Sequence, residues 1–302
     1  MHNLLLDYDI NINIILIRVE KIENLIILLV IFAAFLHAFW NFILKESTDK
    51  NLTMTSVVLG HLPLSFFCLS FFGFPTYDSL HLIVSSAILH FFYQLFLLNA
   101  YKHGELSEVY PIARGLSPLI IIIFTSIFFF EKITIFELIG IFCISLSVIS
   151  YGMRISQRSR TNFKGFRFAV ITGFFIASYS IIDGYGARIS QNPFGFYSTM
   201  TILNAIIYLI YTFFFQKSIL TKLLANSKKY FWIGGSASFT AYAIVVWACV
   251  YLPIAIVSSL RETSIIFALG LSTIFLKEKI NLFKILIIVT IITGIVLLRF
   301  KI

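Results

Sequence analysis

Residues 114–136 read RGLSPLIIIIFTSIFFFEKITIF, and residues 261–283, displaced by 147 positions, read RETSIIFALGLSTIFLKEKINLF. Eight of these 23 pairs are identical without a gap: Arg114/Arg261, Ser117/Ser264, Ile127/Ile274, Phe128/Phe275, Glu131/Glu278, Lys132/Lys279, Ile133/Ile280 and Phe136/Phe283. In a chain with 34 Phe the Ile and Phe matches carry little weight. The arginine that opens each segment and the Glu-Lys that follows each oily run carry more. Together they read as an internal duplication, supported by a weaker correspondence between AFWNFILK (38–45) and ASYSIIDG (177–184).

The medium around these segments follows from composition. Of 302 residues, 59% are hydrophobic and 12% charged, with a mean hydropathy of +0.94. Soluble domains carry about 25% charged residues, so this chain cannot cover its surface with polar groups, and its solvent is lipid. The net charge of +9 sits between apolar runs rather than on one face. It therefore reads as loops held beside a bilayer and not as a nucleic-acid surface. Cys68, Cys143 and Cys249 lie in separate apolar stretches, with neither metal-ligand spacing nor a disulfide framework. They read as small packing residues, and neither metal nor cofactor is expected.

A helix needs about 20 mostly apolar residues to cross the hydrocarbon. Ten such runs are expected, near 24–44, 52–73, 80–100, 107–130, 133–153, 166–186, 194–216, 230–250, 254–276 and 280–299. Residues 1–23 alternate polar and apolar without a basic leader or a small-residue cleavage site, and read as a poorly structured leader rather than a signal peptide. The basic stretch RISQRSRTNFKG (154–165) divides a first unit, 24–153, from a second, 166–302; a second polar stretch, KSILTKLLANSKK, covers 217–229. Five is odd, so duplicated units enter the membrane in opposite directions, the inverted-repeat plan in which a site lies between repeats near mid-bilayer. The expected fold is thus all-α and polytopic: ten transmembrane helices, as two inverted five-helix repeats around a central cavity. Arg114 and Arg261 each lie roughly 10 Å inside an antiparallel helix, at ~1.5 Å per residue.

Three local motifs, AFLHAFWNFILK (34–45), YKHGELSEVYPIARGLSPL (101–119) and SSLRETSIIFALGLSTIFLKEKI (258–280), resemble the EamA-type transporters of the drug/metabolite transporter superfamily, over residues from about 24 to the end. The resemblance implies a ten-helix basket, a central cavity and alternating access. It implies cargo among amino acids, related metabolites, nucleotide-linked compounds or drugs, without naming one.

Candidate site residues are the polar side chains stranded in oily helices, which mark pathways when charged. Arg114 offers paired hydrogen bonds to a carboxylate or phosphate, with Tyr110 one turn earlier on its face and Ser117 one turn later; its alternatives are snorkelling or a structural pair with Glu105 or Glu108. Arg261 is its counterpart, beside Glu262, which either pairs with a neighbouring helix or carries a proton; the plainer reading is a neutralised structural pair. His37, Trp40 and Asn41 share one face of the first span, and Tyr179 and Asp183 one face of the sixth. An aromatic plate beside hydrogen-bonding groups suits a polar solute with an apolar part; interhelical hydrogen bonding is the alternative for His37 and Asn41. Asp183, costly to charge in an apolar helix, suits proton coupling. His90 with Gln94, and Trp247 with Tyr251, are secondary candidates better read as packing. His61, just before Pro63, reads as a kink residue. Glu131-Lys132 and Glu278-Lys279 read as interface and turn markers. Pro111, Pro118 and Pro253 free carbonyls near the Arg-bearing helices.

No enzyme motif is present: no H-E-x-x-H, no G-x-S-x-G and no acidic metal cluster. The expected function is a secondary transporter for a small anionic or zwitterionic solute, amino-acid-like or a related metabolite, coupled to a proton or a counter-solute. The alternatives are a cationic-drug efflux carrier leaning on Asp183 and Glu262, and a channel or non-transporting subunit. The expected location is a multi-pass plasma membrane protein, of the bacterial inner-membrane kind, with its oligomeric state open. Most of the 23 Lys and Arg follow odd-numbered spans, so the positive-inside tendency places both termini outside the cytoplasm; the resemblance implies the opposite.

Overall fold

The structure is a computed structural model that describes the backbone of residues 2–103, 106–158, 163–275, 277 and 281–300. The side chains of Glu105, Glu108, Glu278 and Lys279 lie outside the described residues. Thirteen α-helices account for nearly all of it: α1 (His2–Glu46), α2 (Lys50–Leu59), α3 (Leu62–Phe72), α4 (Leu80–His103), α5 (Leu106–Phe128), α6 (Ile135–Arg158), α7 (Phe163–Ile189), α8 (Pro193–Phe215), α9 (Lys217–Asn226), α10 (Gly235–Ala248), α11 (Ile254–Arg261), α12 (Ser264–Phe275) and α13 (Leu282–Leu297). No strand occurs among the described residues. α1 carries the helical backbone back to His2, through the stretch expected to lack regular structure, and its apolar span begins at Lys21.

Nine helices among the described residues are long and apolar enough to cross a bilayer: Lys21–Leu44, Lys50–Phe72, Tyr77–His103, Val109–Phe128, Ile135–Arg154, Phe163–Ile189, Pro193–Phe215, Tyr230–Ala248 and Ile254–Phe275. The tenth expected span is Leu282–Leu297, whose 16 residues make a rod of about 24 Å against a hydrocarbon thickness of about 30 Å.

Burial runs opposite to that of a soluble protein. Phe67, Phe71, Ile123, Ile127, Phe214 and Val289 are exposed, whereas Arg114, Asp183, Arg261 and Glu262 are buried. Lipid wets the first group at no cost, and the second must find partners inside. Between apolar helices in lipid, association rests on close van der Waals contact, which small residues permit. α6 and α13 cross at Gly140 and Gly294, where a Cβ on Gly140 would lie 2.8 Å from the Gly294 carbonyl oxygen. The second and eighth spans cross at Gly60 and Gly235, where a Cβ on Gly235 would lie 2.6 Å from Gly60 Cα.

Two spans are interrupted where the site forms. The second breaks at Gly60–His61 between α2 and α3, with Pro63 in the first turn of α3. The ninth breaks between α11 and α12. Connections gather on two faces. On one, Arg299 Nη2 donates to Asn24 Oδ1 (2.6 Å), and Asn192 Nδ2 donates to the carbonyls of Phe72 (2.8 Å) and Gly73 (3.0 Å). Residues 129–134 and 249–253 reach this face as well.

Candidate functional site

The break in the ninth span has a local cause. Ser259 Oγ donates to the Ala255 carbonyl (2.8 Å) and Thr263 Oγ1 to the Leu260 carbonyl (2.7 Å), so hydroxyls compete with the helix for its acceptors. The backbone tightens to three-residue steps: Glu262 N to Ser259 O (3.0 Å), Thr263 N to Leu260 O (3.1 Å) and Ile265 N to Glu262 O (3.1 Å). The Ile265 amide would close a regular α-turn on the Arg261 carbonyl. Here that oxygen instead accepts a hydrogen bond from Arg114 Nη2 at 3.3 Å.

Arg114 is 1% exposed, so it does not reach a headgroup. Its Nε donates to Glu262 Oε2 at 3.0 Å and its Nη1 faces His37 Nε2 at 2.9 Å, while its carbon lies 5.5 Å from the Tyr110 ring centre. A guanidinium only donates, so His37 Nε2 accepts and the ring is neutral with its proton on Nδ1. Trp40 Nε1, another obligate donor, lies 3.2 Å from that Nδ1. A neutral imidazole has one acceptor nitrogen, and the charged partner takes it. The Tyr110 hydroxyl also contacts His37 Nε2. Asn41 Nδ2 donates to the His37 carbonyl (2.7 Å) and reaches Tyr110 Oη at 3.4 Å.

Arg261, also buried, is placed differently. Its Nη1 donates to Ser180 Oγ at 3.4 Å, and its guanidinium carbon lies 4.9 Å from the centre of the Tyr242 ring. The repeat register accounts for the inequality of the two arginines. Glu262 corresponds to Gly115, where a Cβ would lie 2.9 Å from the Ser145 carbonyl and 2.7 Å from Ile149 Cγ1. α6 packs too closely there for a carboxylate, so the two arginines share one glutamate, and Arg114 has it.

Asp183, 1% exposed, accepts from Ser86 Oγ and from Tyr242 Oη (2.8 Å), and contacts His90 Nε2 at 2.9 Å. The His90 ring stacks on Tyr179 with centres 4.0 Å apart. Tyr242 thus touches Asp183 through its hydroxyl and Arg261 through its face.

His37, Trp40, His90, Tyr179, Tyr242 and Arg261 from these clusters line a narrow central cavity of about 60 Å³ between the two halves of the chain. The first half contributes His37, Trp40, His61, His90, Tyr93 and Gln94; the second contributes Tyr179, Tyr197, Ser238, Tyr242 and Arg261. At roughly 10–15 Å³ per water, the cavity has room for a few waters. Gln94 Nε2 donates to Asn204 Oδ1 (3.1 Å), and Asn204 Nδ2 to the Ala87 carbonyl (3.1 Å). That chain fixes the Gln94 amide with Oε1 lacking any partner among the described residues; His61 Nε2 lacks one too.

Of the residues expected at a site, His37, Trp40, His90, Gln94, Tyr179 and Arg261 line the cavity. Tyr110, Arg114, Asn41 and Glu262 form the bonded layer beside it. Trp247 and Tyr251 pack on each other, ring centres 5.1 Å apart, with Tyr251 55% exposed, away from the cavity. Sequence reasoning passed over Tyr93, Tyr197 and Tyr242, and read His61 as a kink alone. Tyr93, one turn from His90, had a helical-spacing signal. Tyr242 had none, because both its partners come from other helices.

The sequence pattern of the EamA-like transporter family matches residues 24–152 and, a second time, residues 163–300. No curated protein matches. Among solved structures, one described as a crystal structure of a protein is similar with a TM-score of 0.69 at 13% identity, over 90% of this chain and 97% of that one. At that identity the likeness concerns the fold.

Proposed function

The chain belongs to the EamA-like transporter family, in the drug/metabolite transporter superfamily, and on that premise we propose that it is a secondary carrier for a small anionic or zwitterionic solute. Two five-helix repeats in opposite orientation, with Leu282–Leu297 as the tenth span, enclose the solute and expose it alternately to the two sides of a plasma membrane. One observation supports this cargo above others: Arg261 borders the cavity with a single long hydrogen bond among the described residues, while Arg114 is neutralised by Glu262. In a low-dielectric site an arginine with open donors favours a carboxylate or phosphate. Gln94 Oε1 and His61 Nε2 offer an acceptor for a donor group on the same solute, and Tyr179, Tyr93 and Trp40 a surface for its apolar part.

Arg114, His37, Tyr110 and Asn41 hold the broken ninth span in place and so set where Arg261 points. Asp183, joined to His90, carries the coupling proton. The cationic-drug reading has less support, because both carboxylates it would use already accept hydrogen bonds within the protein.

Purified protein in proteoliposomes tests the reading with a panel of amino acids and small carboxylates. The expected result is saturable uptake or exchange of at least one member, with Arg261→Gln lowering its affinity by about 10- to 100-fold, the worth of a charge-assisted hydrogen bond at ~1.5–3 kcal/mol. Linear, non-saturable leak would indicate a channel instead.

A further inference from the structure

The central cavity does not end at Arg261 and Tyr242. Both also line a second, smaller chamber of about 10 Å³, the size of one water, with Ser180, Asp183, Ser258 and Cys249. Ser258 is buried and its Oγ has no partner among the described residues. Ile254 closes the far wall of this chamber. Beyond it, on the face that carries Asn24 and Arg299, the chain ends around the chamber are tied by one charged cluster. Arg188 Nη2 pairs with Glu131 Oε1 at 2.8 Å. Arg188 Nε donates to the Cys249 carbonyl (2.8 Å) and Nη2 to the Leu252 carbonyl (3.1 Å), and the Ile254 amide donates to Glu131 Oε1 (3.4 Å). Cys249 and Ile254, which help wall the chamber, are therefore also residues whose backbone the ion pair grips.

We propose that this chamber is the outer half of the solute path, and that Arg188 is a second anion-binding residue on it, closed off by Glu131 until a solute's anionic group takes Glu131's place. The inference rests on the carrier reading for the solute, and on geometry alone for the path. Three features distinguish the cluster from structural glue. It joins the end of α5, the last turn of α7 and the 249–253 break, which belong to different repeats. The Arg188 side chain is 31% exposed while that of Glu131 is 8% exposed, so water and a solute reach the arginine from outside. Glu131 Oε2 is buried with no partner among the described residues, which leaves the carboxylate held by one oxygen only. A guanidinium N–H exchanges one carboxylate oxygen for another of the same charge, so an entering anion and Glu131 compete for Arg188 Nη2, while Nε stays on the Cys249 carbonyl. Arg261 then stands one chamber further in as the next station, past Tyr242.

Cys249 reports the path without any solute. With Cys68→Ser and Cys143→Ser in place, it is the sole thiol of the chain, and a charged, membrane-impermeant maleimide is the probe. The protein with its ion pair intact should label slowly. Glu131→Gln and Arg188→Gln should each raise the labelling rate by about tenfold or more, and to a similar extent, while gel filtration shows a folded species. Unchanged protection in either folded variant overturns the proposal. Should Arg188→Gln not fold, Arg188→Lys, which keeps the charge and loses the two-carbonyl fork, is read in the same way: about threefold faster labelling supports the path and unchanged labelling refutes it. Labelling and flux are separate readouts. Opening of Cys249 in a protein that moves nothing on the panel would leave the chamber standing and remove the carrier reading.

Discussion

Replacing Glu262 by Gln should damage stability far more than replacing Arg261 by Gln, although the two residues are neighbours. The Arg114–Glu262 contact is 3.0 Å long and both side chains are all but completely buried. At an effective dielectric of 20, a pair of unit charges about 4 Å apart is worth about 4 kcal/mol. Breaking a buried pair by removing one partner costs about 3–5 kcal/mol, because the remaining charge is left without compensation. At about 2 °C per kcal/mol for a chain of this size, Glu262→Gln should lower the melting temperature in detergent by about 6–10 °C. Among the described residues Arg261 has one long neutral hydrogen bond and a ring contact, so Arg261→Gln should cost about 1 kcal/mol and keep the melt within a few degrees. A double-mutant cycle separates a specific pair from general fragility. Arg114→Met with Glu262→Met removes both charges together and should be more stable than the sum of the single losses by at least about 2 kcal/mol. Equal melts for Glu262→Gln and Arg261→Gln, or additive losses in the cycle, would refute the assignment of Arg114 to the scaffold and Arg261 to the solute.

Other expectations follow from the same contacts. Asp183→Asn should abolish uptake driven by an imposed pH gradient while leaving solute exchange measurable, since the amide cannot carry a proton; gradient-driven uptake at the wild-type rate removes Asp183 from coupling. Gly60→Ala places a Cβ 2.1 Å from the Phe231 carbonyl oxygen, a backbone atom that cannot yield alone. It should lower stability by about 1–3 kcal/mol, whereas Gly270→Ala, inside α12 with nothing within 4 Å, should not lower the melt and should raise it slightly through helix propensity. His37→Phe deprives Arg114 Nη1 of its acceptor and should cost about 1–3 kcal/mol, read as a lower melting temperature with Arg261-dependent binding weakened as well.

Membrane class, the positions of nine of the ten expected spans and the duplication were legible in the primary structure. Each depends on residues close together in the chain: a run of about 20 apolar residues spans by itself, and a repeat needs only comparison at one offset. The aromatic and histidine residues of the site were legible in part for the same reason, since His37 and Trp40, or Tyr179 and Asp183, share a face by helical spacing. The partner of Arg114 was not. Sequence proximity pointed to Glu105 and Glu108, nine and six residues earlier in the chain, but the carboxylate that binds it is Glu262, 148 positions along the chain. Nor was the role of Glu131, a turn marker by its position and the partner of Arg188 in space.

What the sequence determined alone was therefore the set of costly residues and the position of each along its helix. Those follow from transfer free energies that add residue by residue along a helix. Which cost is cancelled by a partner and which is left facing a cavity was decided by tertiary packing. Gly115 lets α6 approach so closely that only the second repeat has room for a carboxylate, and one glutamate cannot satisfy two arginines. The choice between Arg114 and Arg261 is a matter of distance and direction between helices, quantities that no local pattern contains.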